Sequence, residues 1–205
     1  MSNLPVLAHA QSLVVSQQKE MLEVFTDFES ANRYTIYDGN GTPALYAAEQ
    51  SSGAMAFITR SFLKTKRPFT MQIADTAGTT VLTLRRPWNW FFSELHVMDA
   101  SGRKVGWIDQ RFAFLHKRFS VYGENGQELA EIKGPLWRPW TFRFLQGDQE
   151  IGAIRKQWSG LLKEAFTDAD NFGLELGPAM DANLRTLALA ATFLIDFLYF
   201  EDKGG

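Results

Sequence analysis

Five short stretches of this 205-residue chain interleave cations with aromatic rings and hold no carboxylate: residues 60–67, 85–92, 111–119, 133–140 and 155–163. They contain most of the 21 lysines and arginines, and every tryptophan except Trp107. Such residues do non-covalent chemistry. Each basic group near an anionic leaflet is worth roughly 1 kcal/mol, and tryptophan rings favour the membrane–water interface. Single-stranded nucleic acid also suits cations mixed with rings, but no RNP-like or helix-turn-helix pattern accompanies them. The densest runs are Arg85-Arg86-Pro87-Trp88-Asn89-Trp90-Phe91-Phe92 and Pro135-Leu136-Trp137-Arg138-Pro139-Trp140. With Lys117 and Arg118 they define the expected binding residues: Arg85, Arg86, Trp88, Trp90, Phe91, Lys117, Arg118, Trp137, Arg138 and Trp140. Covalent chemistry finds little support. There is no phosphate-binding glycine loop, nucleophile elbow or zinc motif, and the three histidines (His9, His96, His116) are scattered. His96 sits in an alternating apolar stretch and reads as structural. The expectation is a protein that is not an enzyme.

The elements that must carry these stretches are hairpins. From Tyr34 onward an apolar stretch is followed by an acidic or amide-rich turn with glycine, then by another apolar stretch. The copies are Tyr34-Thr35-Ile36-Tyr37 before residues 38–41, Met71-Gln72-Ile73 before 75–78, Leu95-His96-Val97 before 99–102, Phe119-Ser120-Val121 before 124–126, and Phe142-Arg143-Phe144 before 146–148. Asp and Asn fold back on their own backbone and glycine supplies positive φ, so these are turns. The alternating β-branched and aromatic flanks read as strands, about ten of them. Leu13–Val15 and Leu22–Phe25 add one or two more, although Met21, Phe25 and Phe28 also fit one helical face. Phe172, Leu174 and Leu176 alternate with Asn171, Gly173 and Glu175 and add another. A sheet this large leaves edges unless it closes, and a closed barrel removes them. In such a meander alternate connections lie at opposite ends. The Asp-x-x-Gly turns would then form one end and the five carboxylate-free stretches the other.

A barrel needs a filler, and residues 184–200 supply a candidate. The stretch is apolar apart from Arg185 and Asp196, and its clean run covers only residues 187–195. A spanning helix needs about 20 apolar residues, and a charge at depth costs at least a few kcal/mol. An all-round apolar helix of this length belongs in a protein core, with Asp181 as its N-cap and Asp196 near its end. The expected fold is therefore mainly β: a closed antiparallel barrel of about twelve strands around a central hydrophobic C-terminal helix. Residues 1–205 are expected to form a single domain, with residues 1–10 flexible.

The segment Phe166-Thr167-Asp168-Ala169-Asp170-Asn171-Phe172-Gly173, followed by Phe193-Leu194-Ile195-Asp196-Phe197, resembles the C-terminus of the phospholipid scramblase family. Upstream, Gln17-Gln18, Leu22-Glu23, Phe28-Glu29, Asn32-Arg33-Tyr34, Ala47-Ala48-Glu49, Arg67-Pro68-Phe69, Arg86-Pro87 and residues 152–158 fall in the family's order. The resemblance implies the Tubby C-terminal-like barrel and calcium-dependent, energy-independent movement of lipids between leaflets. It also carries a calcium segment onto Asp168, Asp170 and Asp181. As an EF-hand loop this segment has Asp168, Asp170 and Gly173 at positions 1, 3 and 6. Phe172, Leu176 and Ala179 stand where ligands belong at 5, 9 and 12.

The chain has no cysteine, which excludes disulfides, thiolate metal sites and palmitoylation. Its net charge of -2 creates no overall attraction to membrane or nucleic acid. The first ten residues lack a signal-peptide pattern. The expectation is a cytoplasmic protein peripherally associated with anionic phospholipid membranes. The alternative is a soluble module whose basic-aromatic end binds a protein, nucleic acid or small ligand. Oligomeric state is not legible.

Overall fold

The computed structural model describes residues 4–18, 32–50, 67–89, 91–138, 140–156 and 171–200. They form twelve strands in one closed antiparallel barrel: β1 (Ser12–Gln18), β2 (Arg33–Tyr37), β3 (Pro43–Glu49), β4 (Phe69–Asp75), β5 (Thr80–Arg86), β6 (Glu94–Asp99), β7 (Lys104–Arg111), β8 (His116–Gly123), β9 (Glu128–Pro135), β10 (Thr141–Gln146), β11 (Gln149–Lys156) and β12 (Asn171–Leu176). Each strand pairs with its neighbours in sequence, and β1 closes the barrel on β12. No edge is left open, as the hairpin count and the edge argument together require. Leu22–Phe25 lies outside the described residues.

The hairpin turns follow one local rule. The side chains of Asp38, Asp75 and Asp99 each accept from the amides two and four residues on, at 2.9–3.0 Å. The amide of the closing glycine donates to the carbonyl of the same aspartate. That glycine sits at φ +82° in Gly78 and +78° in Gly102, where a Cβ would be strained. The returning strand gains one residue, and each turn is flanked by a register shift. Asp99, held by the Ser101 hydroxyl and then by Arg103 and nearby amides, has its pKa lowered to about 2.

The lumen is filled by helix α2 (Ala182–Tyr199). Its 18 residues span about 27 Å, long and apolar enough to cross a bilayer by composition, yet most of the helix is buried. Leu187, Leu189, Phe193, Leu194 and Phe197 are at most 5% exposed. Each contributes roughly 1.5–3 kcal/mol by burial. Asp181 caps the helix, accepting from the Leu184 amide at 2.7 Å. Thr186 and Thr192 donate to carbonyls one turn back, which satisfies their hydroxyls in a dry core.

Both charges of this helix are buried and bonded. Arg185 donates to the carbonyls of Met180 (2.8 Å), Gly177 (3.1 Å), Leu7 (3.3 Å) and Ala10. These bonds tie down helix α1 (Pro5–His9), whose Leu7 is buried, within the ten residues expected to be flexible. Asp196 accepts from the Tyr34 hydroxyl at 2.6 Å.

Candidate functional site

Antiparallel alternation places the five tight turns at one end of the barrel and the remaining strand connections at the other. At that second end the connections after β5, β7 and β9 (residues 87–93, 112–115 and 136–140) are neighbours, because β5 to β10 are consecutive. They carry all the exposed large apolar side chains among the described residues. These are Trp88, Phe91, Phe92, Phe112, Phe114, Leu115, Leu136, Trp137 and Trp140. Phe91 is 91% exposed, Phe114 86%, Phe112 75% and Trp137 68%. A concentrated exposed apolar patch marks a surface that binds something apolar. These connections lack the Asp and Gly chemistry of the opposite end. Apolar residues occupy the positions that a solvated turn gives to polar ones.

Register places the cations just behind this rim. Arg111, Arg118, Lys133 and Arg143 stand opposite one another in turn across β7, β8, β9 and β10. Arg155 on β11 faces Thr141 at the start of β10. Like charges opposite each other in a sheet repel, and carboxylates one step farther from the rim relieve this only in part. Glu131 serves both Arg118 and Lys133 (2.9 Å to the lysine). Glu150 lies 3.7 Å from Arg143 and 3.9 Å from Arg155, and Asp109 lies 3.9 Å from Arg111. Glu175 binds Arg155 through both oxygens, at 3.0 and 3.2 Å, and raises its pKa above the usual arginine value. On this side the outer surface therefore runs from rings to cations to carboxylates. A membrane changes in the same order, from apolar boundary through phosphates to water.

Beneath the rim lies a buried polar network. Gln17 donates to Asn32 (3.0 Å), Asn32 to Glu49 (2.9 Å), and Arg67 to both Glu49 oxygens. Arg86 donates to the Arg67 carbonyl and to Ser93 Oγ (2.8 Å). Both guanidiniums lie over the Phe197 ring, at 4.7 and 4.9 Å. Ser93 continues to Gln110, which donates to the Tyr199 hydroxyl at 3.3 Å. Burial pushes the Tyr199 pKa up to about 12, against that hydrogen bond. The rim loop 87–93 is thus stapled at its base to the last turn of α2.

The expected binding residues divide accordingly. Trp88, Phe91, Trp137, Arg138 and Trp140 belong to the rim, and Arg85 is exposed at the end of β5. Trp90 lies outside the described residues. Arg86 is corrected: at 2% exposure it is a buried clamp of the rim loop. Lys117 is half-buried, its Nζ 3.9 Å from the Tyr199 ring centroid, and Arg118 is tied to Glu131. Phe92, Phe112, Phe114, Leu115 and Leu136 fall inside the carboxylate-free stretches without being among the expected binding residues, and only the register aligns Arg111, Lys133 and Arg143 with Arg118 in one row. The signal for the rings was present in Phe112-Ala113-Phe114-Leu115, an apolar run between two strands where a polar turn is the norm.

The connections after β1 and β11 belong by topology to the end that carries the rim. Their sequences include Glu20, Glu23, Asp27 and Glu29, and Glu164, Asp168 and Asp170, all outside the described residues.

The calcium set implied by resemblance does not fit this chain. Positions 4 to 9 of a loop starting at Asp168 are residues 171–176, which are strand β12, paired on both sides. Asp181 caps α2 beyond the far end of that strand, roughly 17–20 Å from its start at about 3.3 Å per residue. Among the described residues no group of three or more His, Cys, Asp or Glu could hold a metal.

This helix-filled barrel with one apolar rim has known relatives. The family model described as Scramblase matches residues 1–202. Phospholipid scramblase 1 of Mus musculus is 34% identical over 98% of this chain and 64% of its own length. Phospholipid scramblase 1 of Homo sapiens is 32% identical, over 98% of this chain and 66% of its length. Phospholipid scramblase 2 of Homo sapiens is 32% identical, over 97% and 70%. An X-ray structure of a protein from Arabidopsis thaliana aligns with a TM-score of 0.49 and 11% identity, covering 93% of each chain. The chain belongs to the scramblase family. It spans just under two thirds of the length of the first of these relatives.

Proposed function

We propose that this chain is a phospholipid scramblase-like protein that docks on anionic phospholipid membranes through its apolar rim, as a peripheral protein of a cytoplasmic face. The observation that carries the proposal is the gathering of all described exposed rings into three adjacent connections, with the cation row directly behind them. Apolar insertion supplies affinity and the cations supply preference for anionic lipid, roughly 1 kcal/mol per effective charge. Transbilayer movement of phospholipid, carried by the relatives' names, joins the same proposal as a non-covalent and energy-independent activity. The lumen is packed with the side chains of α2. Lipid would therefore pass along the outer surface, helped by the rim's disturbance of one leaflet.

The test is flotation with vesicles of phosphatidylcholine alone and with added phosphatidylserine, at low and high salt. The expected result is binding to both, stronger with the anionic lipid, with the difference removed by salt. A soluble module for nucleic acid would instead bind single strands with a steep salt slope and ignore vesicles. That result would replace the proposal.

A further inference from the structure

We infer that the outer cleft between the rim and strands β10 and β11 is a phosphate-binding site selective for a lipid with a terminal phosphate monoester. The inference rests on the docking proposal for its source of ligand. The cleft has a volume of about 160 Å³ and is lined by Pro135, Arg138, Thr141, Arg143, Glu150 and Arg155. Three arginines thus line it from three elements: the loop after β9, strand β10 and strand β11.

Their donors are only partly used. No ion pair involves Arg138 among the described residues. The 3.7 Å contact of Arg143 with Glu150 is too long for a hydrogen bond. Arg155 gives two of its N–H groups to Glu175, and a guanidinium has five. The Thr141 hydroxyl adds a further donor. Among the described residues Glu150 is the one carboxylate that lines the cleft.

The ligand chemistry follows from this donor set. Arginine forks match the oxygens of phosphate with two parallel bonds. A phosphate monoester presents three terminal oxygens and up to two negative charges to three arginines, whereas the diester of an ordinary phospholipid presents two oxygens and one charge. The position fits as well. Arg138 stands between Trp137 and Trp140 in one loop, so rings seated at the bilayer boundary bring the cleft to the level of lipid phosphates. Backbone hydrogen bonds hold the described residues of the loop in place. The Arg138 amide donates to the Pro135 carbonyl (3.1 Å), the Thr141 amide to the Arg138 carbonyl (3.2 Å), and the Lys156 amide to the Trp140 carbonyl (2.8 Å). A preorganised loop loses less entropy on binding.

The experiment compares phosphatidylcholine vesicles carrying phosphatidic acid with vesicles carrying phosphatidylserine, matched in surface potential. The full chain is expected to prefer phosphatidic acid. Arg138→Gln and Arg143→Gln should each lower binding to phosphatidylserine roughly fivefold, the loss of one effective charge, and binding to phosphatidic acid on the order of 25-fold. Glu150→Gln should strengthen binding to phosphatidic acid. Unchanged melting temperatures establish that the variants are folded. Equal losses on both vesicles would overturn the inference, because they would show a general electrostatic effect. Inorganic phosphate forms the second arm. If millimolar phosphate raises the melting temperature of the wild-type protein but not that of the variant combining Arg138→Gln with Arg143→Gln, while the two vesicles bind alike, the site takes free phosphate and the lipid assignment falls. If wild-type protein floats with neither vesicle, the docking proposal fails by itself, and the phosphate arm then decides the cleft.

Discussion

Replacing Phe91, Phe112 and Phe114 together by serine separates membrane seating from folding. The three rings are 91%, 75% and 86% exposed, so most of their apolar surface is still available for burial. Complete burial of such a side chain is worth roughly 1.5–3 kcal/mol. Seating at an interface captures about half of that, or roughly 1 kcal/mol per ring. The triple substitution should therefore weaken partition by about 3 kcal/mol, on the order of 100-fold. Folding stability should move little, because substitutions at exposed sites without special roles change it by about 0.5 kcal/mol or less. The assay is a vesicle titration read by the blue shift of Trp88, Trp137 and Trp140, with a thermal melt of the free protein beside it. Raising salt from about 0.1 to 1 M shortens the screening length from about 10 to 3 Å. That should remove the contribution of the cation row and leave that of the rings. Unchanged vesicle binding in the triple variant would refute the reasoning. So would wild-type binding that vanishes completely in high salt.

Other expectations follow from the interior. Leu194→Ala opens a cavity in the filled lumen and should lower unfolding free energy by about 2–5 kcal/mol in a denaturant titration. Tyr199 has a folded pKa raised to about 12 from an unfolded value of 10.0, so folding favours its neutral form. Its contribution is complete below about pH 10 and is lost as pH rises from 10 toward 12. The stability of Tyr199→Phe should lack this phase, and spectrophotometric titration should show one late tyrosine that the variant loses. Calcium at millimolar concentration should leave the melting temperature of the wild-type protein unchanged, because β12 occupies the middle of the implied loop and Asp181 is engaged as a cap. A stabilisation abolished by Asp168→Asn with Asp170→Asn would contradict this.

Most of the fold was legible because its signals are local. Asp38, Asp75 and Asp99 each bond to their own following amides, and a glycine three residues on supplies the positive φ. The alternation of Leu82, Leu84 and Arg85, or of Phe142, Arg143 and Phe144, separates lumen from outside residue by residue. Closure and the central helix followed by elimination, since so many paired strands need both a partner for each edge and a filler. The end opposite the turns was legible as a set of connections, but its chemistry was not. Arg86 and Arg85 are adjacent in sequence and equally basic. Strand alternation sends Arg86 inward, onto Ser93 and the face of Phe197, and leaves Arg85 outside.

The sequence by itself therefore determined the strands, the turns, the helix and which connections share an end, because each depends on neighbours within a few residues. Only the tertiary structure decided which cations reach solvent, that the rim is apolar before it is basic, and that Arg138, Arg143 and Arg155 face one cleft. Those facts depend on register between strands up to twenty residues apart, where shifting one pairing by a single residue would exchange inside for outside.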